Sequence, residues 1–303
     1  MRRLLAAALV LSFAGSAGAW VRSRTEKGTP VFWPASCVFI VPDEAGSLDM
    51  PLETVLQVID RTIANWQTPS LGRAYLRLQR EAPAKKETLY DKTHVIKFRD
   101  GSRFCRPADG GKEEVCYSAQ ATAITTIFYN SAPGKPADGT ILDADIELNQ
   151  VNFTFVNLPA ATQARPGTSR ADLENTLTHE LGHLQGLDHI CRDSATLGDP
   201  VDGNGQPIPD CIEVRQNPVK FRELLEATMY NFTESAAEIK KRTPEADDQN
   251  ALSAVYPTDK DPKQCKRPGE GGCAVGGRGD KGAWALAGLA LLAWWGRRRL
   301  RFG

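Results

Sequence analysis

Between residues 179 and 189 the chain reads His179-Glu180-Leu181-Gly182-His183-Leu184-Gln185-Gly186-Leu187-Asp188-His189, that is, H-E-x-x-H-x-x-G-x-x-H. Histidines four apart lie on one face of a helix, so His179 and His183 can both reach one metal ion. Glu180 stands beside the first and can hold a water there as catalytic base. Gly186 admits a left-handed backbone, which ends the helix and swings His189 back toward the first two. Three neutral imidazoles leave the fourth position of a zinc ion open to water, the donor set of a catalytic site rather than a closed structural one. The chain has only four histidines, and three fall in this window. An ordinary amphipathic helix with surface histidines needs neither Gly186 nor His189 at these offsets. The expected metal ligands are therefore His179, His183 and His189, holding one Zn2+.

These residues resemble the metzincin clan of zinc peptidases. The resemblance implies a methionine in a tight turn beneath the metal. Met1 is the initiator and Met50 lies far upstream, which leaves Met229, in Ala227-Thr228-Met229-Tyr230. Tyr230 directly follows it, as in matrixins. Astacins and serralysins place a metal-binding tyrosine where this chain has Asn231. The resemblance is therefore matrixin-like and covers roughly residues 30 to 257. It implies an α+β fold: a twisted mixed sheet with an antiparallel edge strand, a packing helix, an active-site helix and a C-terminal helix. It also implies hydrolysis of a protein or peptide substrate.

The chain ends carry targeting signals. Arg2 and Arg3, then the apolar stretch Leu4 to Phe13, then Ala17-Gly18-Ala19 before Trp20 read in order as a secretory signal peptide over 1–19. At the other end, a Gly-rich stretch with Gly272-Cys273 precedes an apolar run, Ala283 to Trp295, and then Arg297, Arg298, Arg299 and Arg301. Thirteen helical residues reach about 20 Å, short of a roughly 30 Å hydrocarbon core. This order resembles a myxobacterial C-terminal sorting signal. The resemblance implies a sorting machinery as partner, processing near Cys273, transient membrane contact and display on the cell surface; a plain tail anchor is the alternative. Equal numbers of acidic and basic residues, 37 each, give no argument for nucleic acid.

Seven cysteines in an exported chain point to disulfides. With Cys273 assigned to the sorting signal, six remain. Cys105 and Cys116 flank a Gly-rich stretch, and Cys191 and Cys211 bracket a Gly/Pro-rich loop. That leaves Cys37 with Cys265. Six cysteines permit fifteen connectivities, so this is a preference among them.

Taken in order, the sequence predicts a signal peptide (1–19), a polar lead-in (20–36), a catalytic domain (37–257), a Gly-rich linker (258–282) and a terminal apolar helix with its arginine cluster (283–303). Val38 to Val41 reads as a buried strand. A packing helix is expected from Pro51, with Leu52, Val55, Leu56, Ile59, Ile63 and Trp66 inward and Pro69 stopping it. His94 to Phe98 reads as a strand, with His94 a surface residue; a fourth polar group near a substrate is the alternative. Ala121 to Tyr129 is the expected edge strand above the cleft, open to an extended peptide. Ile141 to Leu148 alternates and reads as half-exposed, with Asp143, Asp145 and Glu147 on a solvated face; calcium is the alternative there. The loop from Asp199 through Asp202, Asn204 and Gln206 to Asp210 offers a second calcium possibility. Ser169 to Gln185 is the expected active-site helix, and a closing helix is expected after Thr243-Pro244.

The function expected is a secreted or surface-displayed zinc endopeptidase, with a pappalysin-like branch as the alternative within enzymes. Two other classes compete. An inactive metzincin-like surface binding module would have no use for Glu180. A structural protein with a supporting zinc would not leave a coordination position open.

Overall fold

A computed structural model describes residues 20–267 except 71, 110, 112, 160–162, 194–195, 197 and 234–237. The expected signal peptide, Cys273 and the terminal apolar run lie outside the described residues. In chain order the elements are β1 (Val21–Arg22), β2 (Cys37–Pro42), α1 (Leu52–Ser70), β3 (Arg77–Arg80), β4 (His94–Arg99), β5 (Cys105–Arg106), β6 (Val115–Cys116), β7 (Ala123–Tyr129) and β8 (Ile141–Asn149). Then come β9 (Phe153–Val156), β10 (Ser169–Asp172), α2 (Leu173–Leu184), β11 (Leu187–Asp188), α3 (Cys211–Gln216), α4 (Arg222–Glu226) and α5 (Ala246–Val255).

The fold is α+β. Its main sheet has five strands in the order β3-β2-β4-β8-β7. The first four run parallel and β7 is antiparallel to β8 at the edge. Parallel neighbours need a crossover, and α1 supplies it between β2 and β3. Val55, Val58, Ile59, Ile63 and Trp66 of α1 meet Leu173, Leu177, Leu181 and Leu184 of α2 in one core cluster, together with Ala144, Ile146 and Leu148 of β8. Trp66 is fully buried, and its indole N–H donates to Thr178 O at 2.9 Å, so α1 is pinned to α2 by a bond as well as by area.

Several expectations are corrected. The packing helix begins at Leu52, with Pro51 O accepting the first helical bond from Val55 N, and it runs through Pro69 to Ser70. The active-site helix starts at Leu173, not Ser169. Residues 169–172 instead form β10, parallel to β9, and Asp172 caps the helix by accepting from Asn175 N. The closing helix begins at Ala246, because Glu245 and Asp248 form a reciprocal capping box two residues beyond Thr243.

The largest correction concerns β8. Asp143, Asp145 and Glu147 are fully buried rather than solvated. Asp143 accepts from Asp91 N and Lys92 N and meets His94 Nδ1 at 2.8 Å. Glu147 accepts from Arg99 Nε at 2.7 Å, Arg106 Nε at 2.9 Å and Tyr117 OH at 2.8 Å. His94 is thus a buried member of this layer, not a surface residue, and its ring also packs edge-on to Trp33. Charged alternation on a strand means exposure only when nothing complementary covers it.

The lead-in is built into the core: Val31 and Trp33 are buried, and Trp33 Nε1 donates to Leu184 O at the end of α2. Three disulfides join Cys37 to Cys265, Cys105 to Cys116 and Cys191 to Cys211. They suit an exported protein folding under oxidising conditions. Among the described residues, no helix is long and apolar enough to cross a membrane.

Candidate metal centre

The end of α2 brings the three histidines together. His179 and His183 stand on one face of the helix. Gln185 caps it, and Gly186 takes φ +89°, turning the chain sharply. A Cβ at Gly186 would also lie 3.2 Å from Val31 O, so the position needs glycine twice over. The next residues, β11, pair antiparallel with β1. Ser23 N donates to Gly186 O and Ser23 Oγ to Leu187 O, so the N-terminal strand holds the turn that delivers His189.

The Nε2 atoms of His179, His183 and His189 lie 3.1–3.2 Å from one another. The Nδ1 of His179 is 2.7 Å from Thr228 O, and that of His183 is 2.9 Å from Leu187 O. A carbonyl only accepts, so both Nδ1 atoms carry their hydrogens and both Nε2 atoms present lone pairs. Burial lowers the pKa of both rings, that of His179 well below the ordinary value, which keeps them neutral. Converging lone pairs repel unless a cation lies between them. The donor set and spacing therefore fit a metal ion.

Glu180 is buried beside this cluster. Its Oε2 accepts from Thr125 Oγ1 of β7 at 2.6 Å. Burial raises the pKa of its carboxyl, opposed by the electrostatic interaction with His183, the Thr125 bond and Lys241, so the group is a stronger base than an exposed glutamate. Met229 is fully buried under the helix, with its side chain against Gly182. Its segment supplies Thr228 O to His179, so the turn that seats the methionine also orients a histidine. Lys241 Nζ donates to Tyr230 O and to Phe232 O, pinning the chain after the turn.

A cavity of about 860 Å³ opens over the cluster, lined on one side by Thr125 and Ile127 of β7 and on the other by Glu180 and the three histidines. Among the described residues β7 pairs only with β8, so its outer backbone edge faces this space.

The structure thus gathers five of the expected residues: His179, His183, His189, Glu180 and Met229. Two of the calcium candidates, Asp202 and Asp210, are engaged by backbone N–H groups. Asp202 Oδ1 accepts from Asn204 N and Gln206 N, and Asp210 caps α3. Among the described residues, two groups of three converge closely enough for a metal: the histidines, and Cys105–Glu114–Cys116, whose sulfurs are already joined in a disulfide. The sequence reading missed Thr125, Asp193 and Gly182. Gly182 left a signal, being a glycine inside a helix where alanine would be favoured by propensity. Comparison with models of known families gave no match, and neither did comparison with curated proteins.

Proposed function

We propose that the chain is a zinc-dependent endopeptidase of metzincin type, matrixin-like, exported and displayed at the cell surface. The observation that carries this reading is the convergence of three imidazole Nε2 atoms beside a buried carboxylate, at the floor of a cleft rimmed by an unpaired strand edge. A tetrahedral zinc with bonds of about 2.0–2.1 Å would separate its nitrogens by about 3.3 Å, close to the spacing here. Bound there, zinc would supply Lewis acidity, polarising a carbonyl and making water acidic near neutrality.

The protein's own groups do the rest. The outer edge of β7 offers main-chain donors and acceptors to an extended peptide and aligns it across the cleft. Glu180 accepts a proton from the attacking water and returns it to the leaving amine. Thr125 fixes Oε2 of that carboxylate, which leaves Oε1 to take the proton. Met229 seats the histidines from below.

Purified protein is expected to contain one zinc per chain and to lose peptide cleavage on chelation. His179→Ala, His183→Ala and His189→Ala should each weaken zinc binding. Normal zinc affinity in the His189→Ala protein would remove the three-histidine reading. For display, Cys273→Ala should leave the C-terminal segment attached and change the protein's location; surface protein that still carries Trp294 would identify a plain anchor instead.

A further inference from the structure

His189 is braced unlike its two partners. His179 and His183 present Nδ1 to main-chain carbonyls. His189 Nδ1 faces a side chain, Asp193 Oδ2, at 3.1 Å. Asn231 Nδ2 donates to the same oxygen at 2.8 Å, and Asp193 Oδ1 accepts from Thr196 Oγ1 at 3.0 Å. Asp193 comes from the loop after β11 and Asn231 from the segment just past Met229. Both line the cleft.

The geometry points to Asp193 as the positioning residue of the third histidine, and to Asn231 as the group that holds Asp193 in place. The inference rests on the metal reading above. A carboxylate accepting from Nδ1–H fixes the tautomer with Nε2 free, sets the ring plane and makes Nε2 a better donor. It also places a negative charge near three neutral ligands that offset none of a dication's charge. Asn231 can do its part because its amide donates. That amide is used on Asp193, so the residue two past Met229 acts on the metal through Asp193 and His189 rather than directly. The loop carrying Asp193 starts at Cys191, whose disulfide to Cys211 limits how far the brace can drift.

The test measures zinc affinity by competition with a chromophoric chelator, in the full chain and in Asp193→Ala, Asp193→Asn, Asn231→Ala and His189→Ala variants. The visible spectrum of the cobalt(II)-loaded proteins, the ring-nitrogen NMR correlations of His189 and melting of the metal-free proteins accompany it. Asp193→Ala should weaken zinc binding roughly 10–100-fold, the range for loss of such a partner, shift the cobalt bands and release the fixed tautomer. Asp193→Asn, whose amide oxygen still accepts, should recover much of the loss. Asn231→Ala should weaken zinc less, with cobalt bands moving the same way. If Asp193→Ala does not fold, Asp193→Asn and Asn231→Ala decide. A lowered melting temperature with unchanged zinc affinity and cobalt spectrum would show a merely structural role and overturn the inference. If His189→Ala loses zinc while Asp193→Ala does not, only this inference fails. If neither variant differs from wild type, the metal reading falls with it.

Discussion

Gly182 and Met229 occupy one shared space: a Cβ placed on Gly182 would lie 2.3 Å from Met229 Sδ, 3.0 Å from its Cε and 3.2 Å from Trp66 Cζ2. The helix can lie this close over the methionine because it has no side chain at Gly182. Gly182→Ala should therefore destabilise the protein despite alanine's better helix propensity. Overpacking costs about 1–3 kcal/mol, or several degrees of melting temperature at this size. Met229→Ala alone opens a cavity and costs about 2–5 kcal/mol. The double variant should melt well above the sum of the two losses, since each relieves the other. Additive losses in calorimetry would show that the contact is not the reason for glycine.

Glu180→Gln separates chemistry from binding. The amide keeps nearly the same size and can still accept from Thr125 through its oxygen, but it takes no proton at neutral pH. The metal is assigned to histidines, so zinc content and melting should change little. General acid-base catalysis is worth a factor of about 10² to 10⁴, and peptide cleavage should fall by at least that order, mostly in kcat. Wild-type cleavage rates in this variant would dispose of the proposed base. If neither protein cleaves any member of a broad peptide library, the inactive binding module becomes the better reading.

The centre was legible in the sequence because its geometry is local. A helix repeat fixes His179 against His183, and one positive-φ glycine fixes the direction of His189. The edge strand was legible from its β-branched run and its order along the chain. What stayed hidden is non-local. The strand holding the His189 turn is two residues long and sits 164 positions away, as Ser23 bonds Leu187. The charged face of β8 reads as solvated until His94, 49 positions from Asp143, and Arg106, 41 from Glu147, are seen to cover it. Asp193 and Asn231 meet across 38 residues, and neither residue type announces the other.

The Cys191–Cys211 disulfide should matter to the centre as well as to the fold. It closes a loop with a sequence separation of 20, for which the chain-entropy model gives about 3 kcal/mol. Both cysteines are buried, so mild reductant should reach them slowly. Cys191→Ser/Cys211→Ser should melt several degrees lower and release zinc faster to a chelator, because His189 lies two residues before the bond. Peptide mapping without reduction should recover the pair joined. A fully folded variant that retains zinc as wild type does would confine the bond to loop stability.

Asp145 gives the fold a pH dependence of its own. Its side chain is buried in the middle of β8, with Oδ1 accepting from Val95 N at 2.9 Å and Oδ2 without a hydrogen-bond partner. Desolvation, reinforced by Asp143 and Glu147 and opposed by the Val95 bond and Arg106, raises its pKa from 3.8 to about 8. A carboxyl whose folded pKa lies above its unfolded one binds its proton more tightly in the native state. Its stabilisation is complete below the unfolded value and drains away as pH rises from about 4 through about 8. Asp145→Asn retains an oxygen for Val95 and never ionises, so that part of the slope should vanish. The quantity to compare is the change in melting temperature between pH 5 and pH 8.5, since the absolute stability of the variant also reflects how its new amide hydrogens are housed. Wild type should lose more than Asp145→Asn across that interval, by at least about 1 kcal/mol, or about 2–4 °C for a domain of this size. Parallel curves would mean that Asp145 is already ionised in the folded protein, held by Arg106 against the cost of burial.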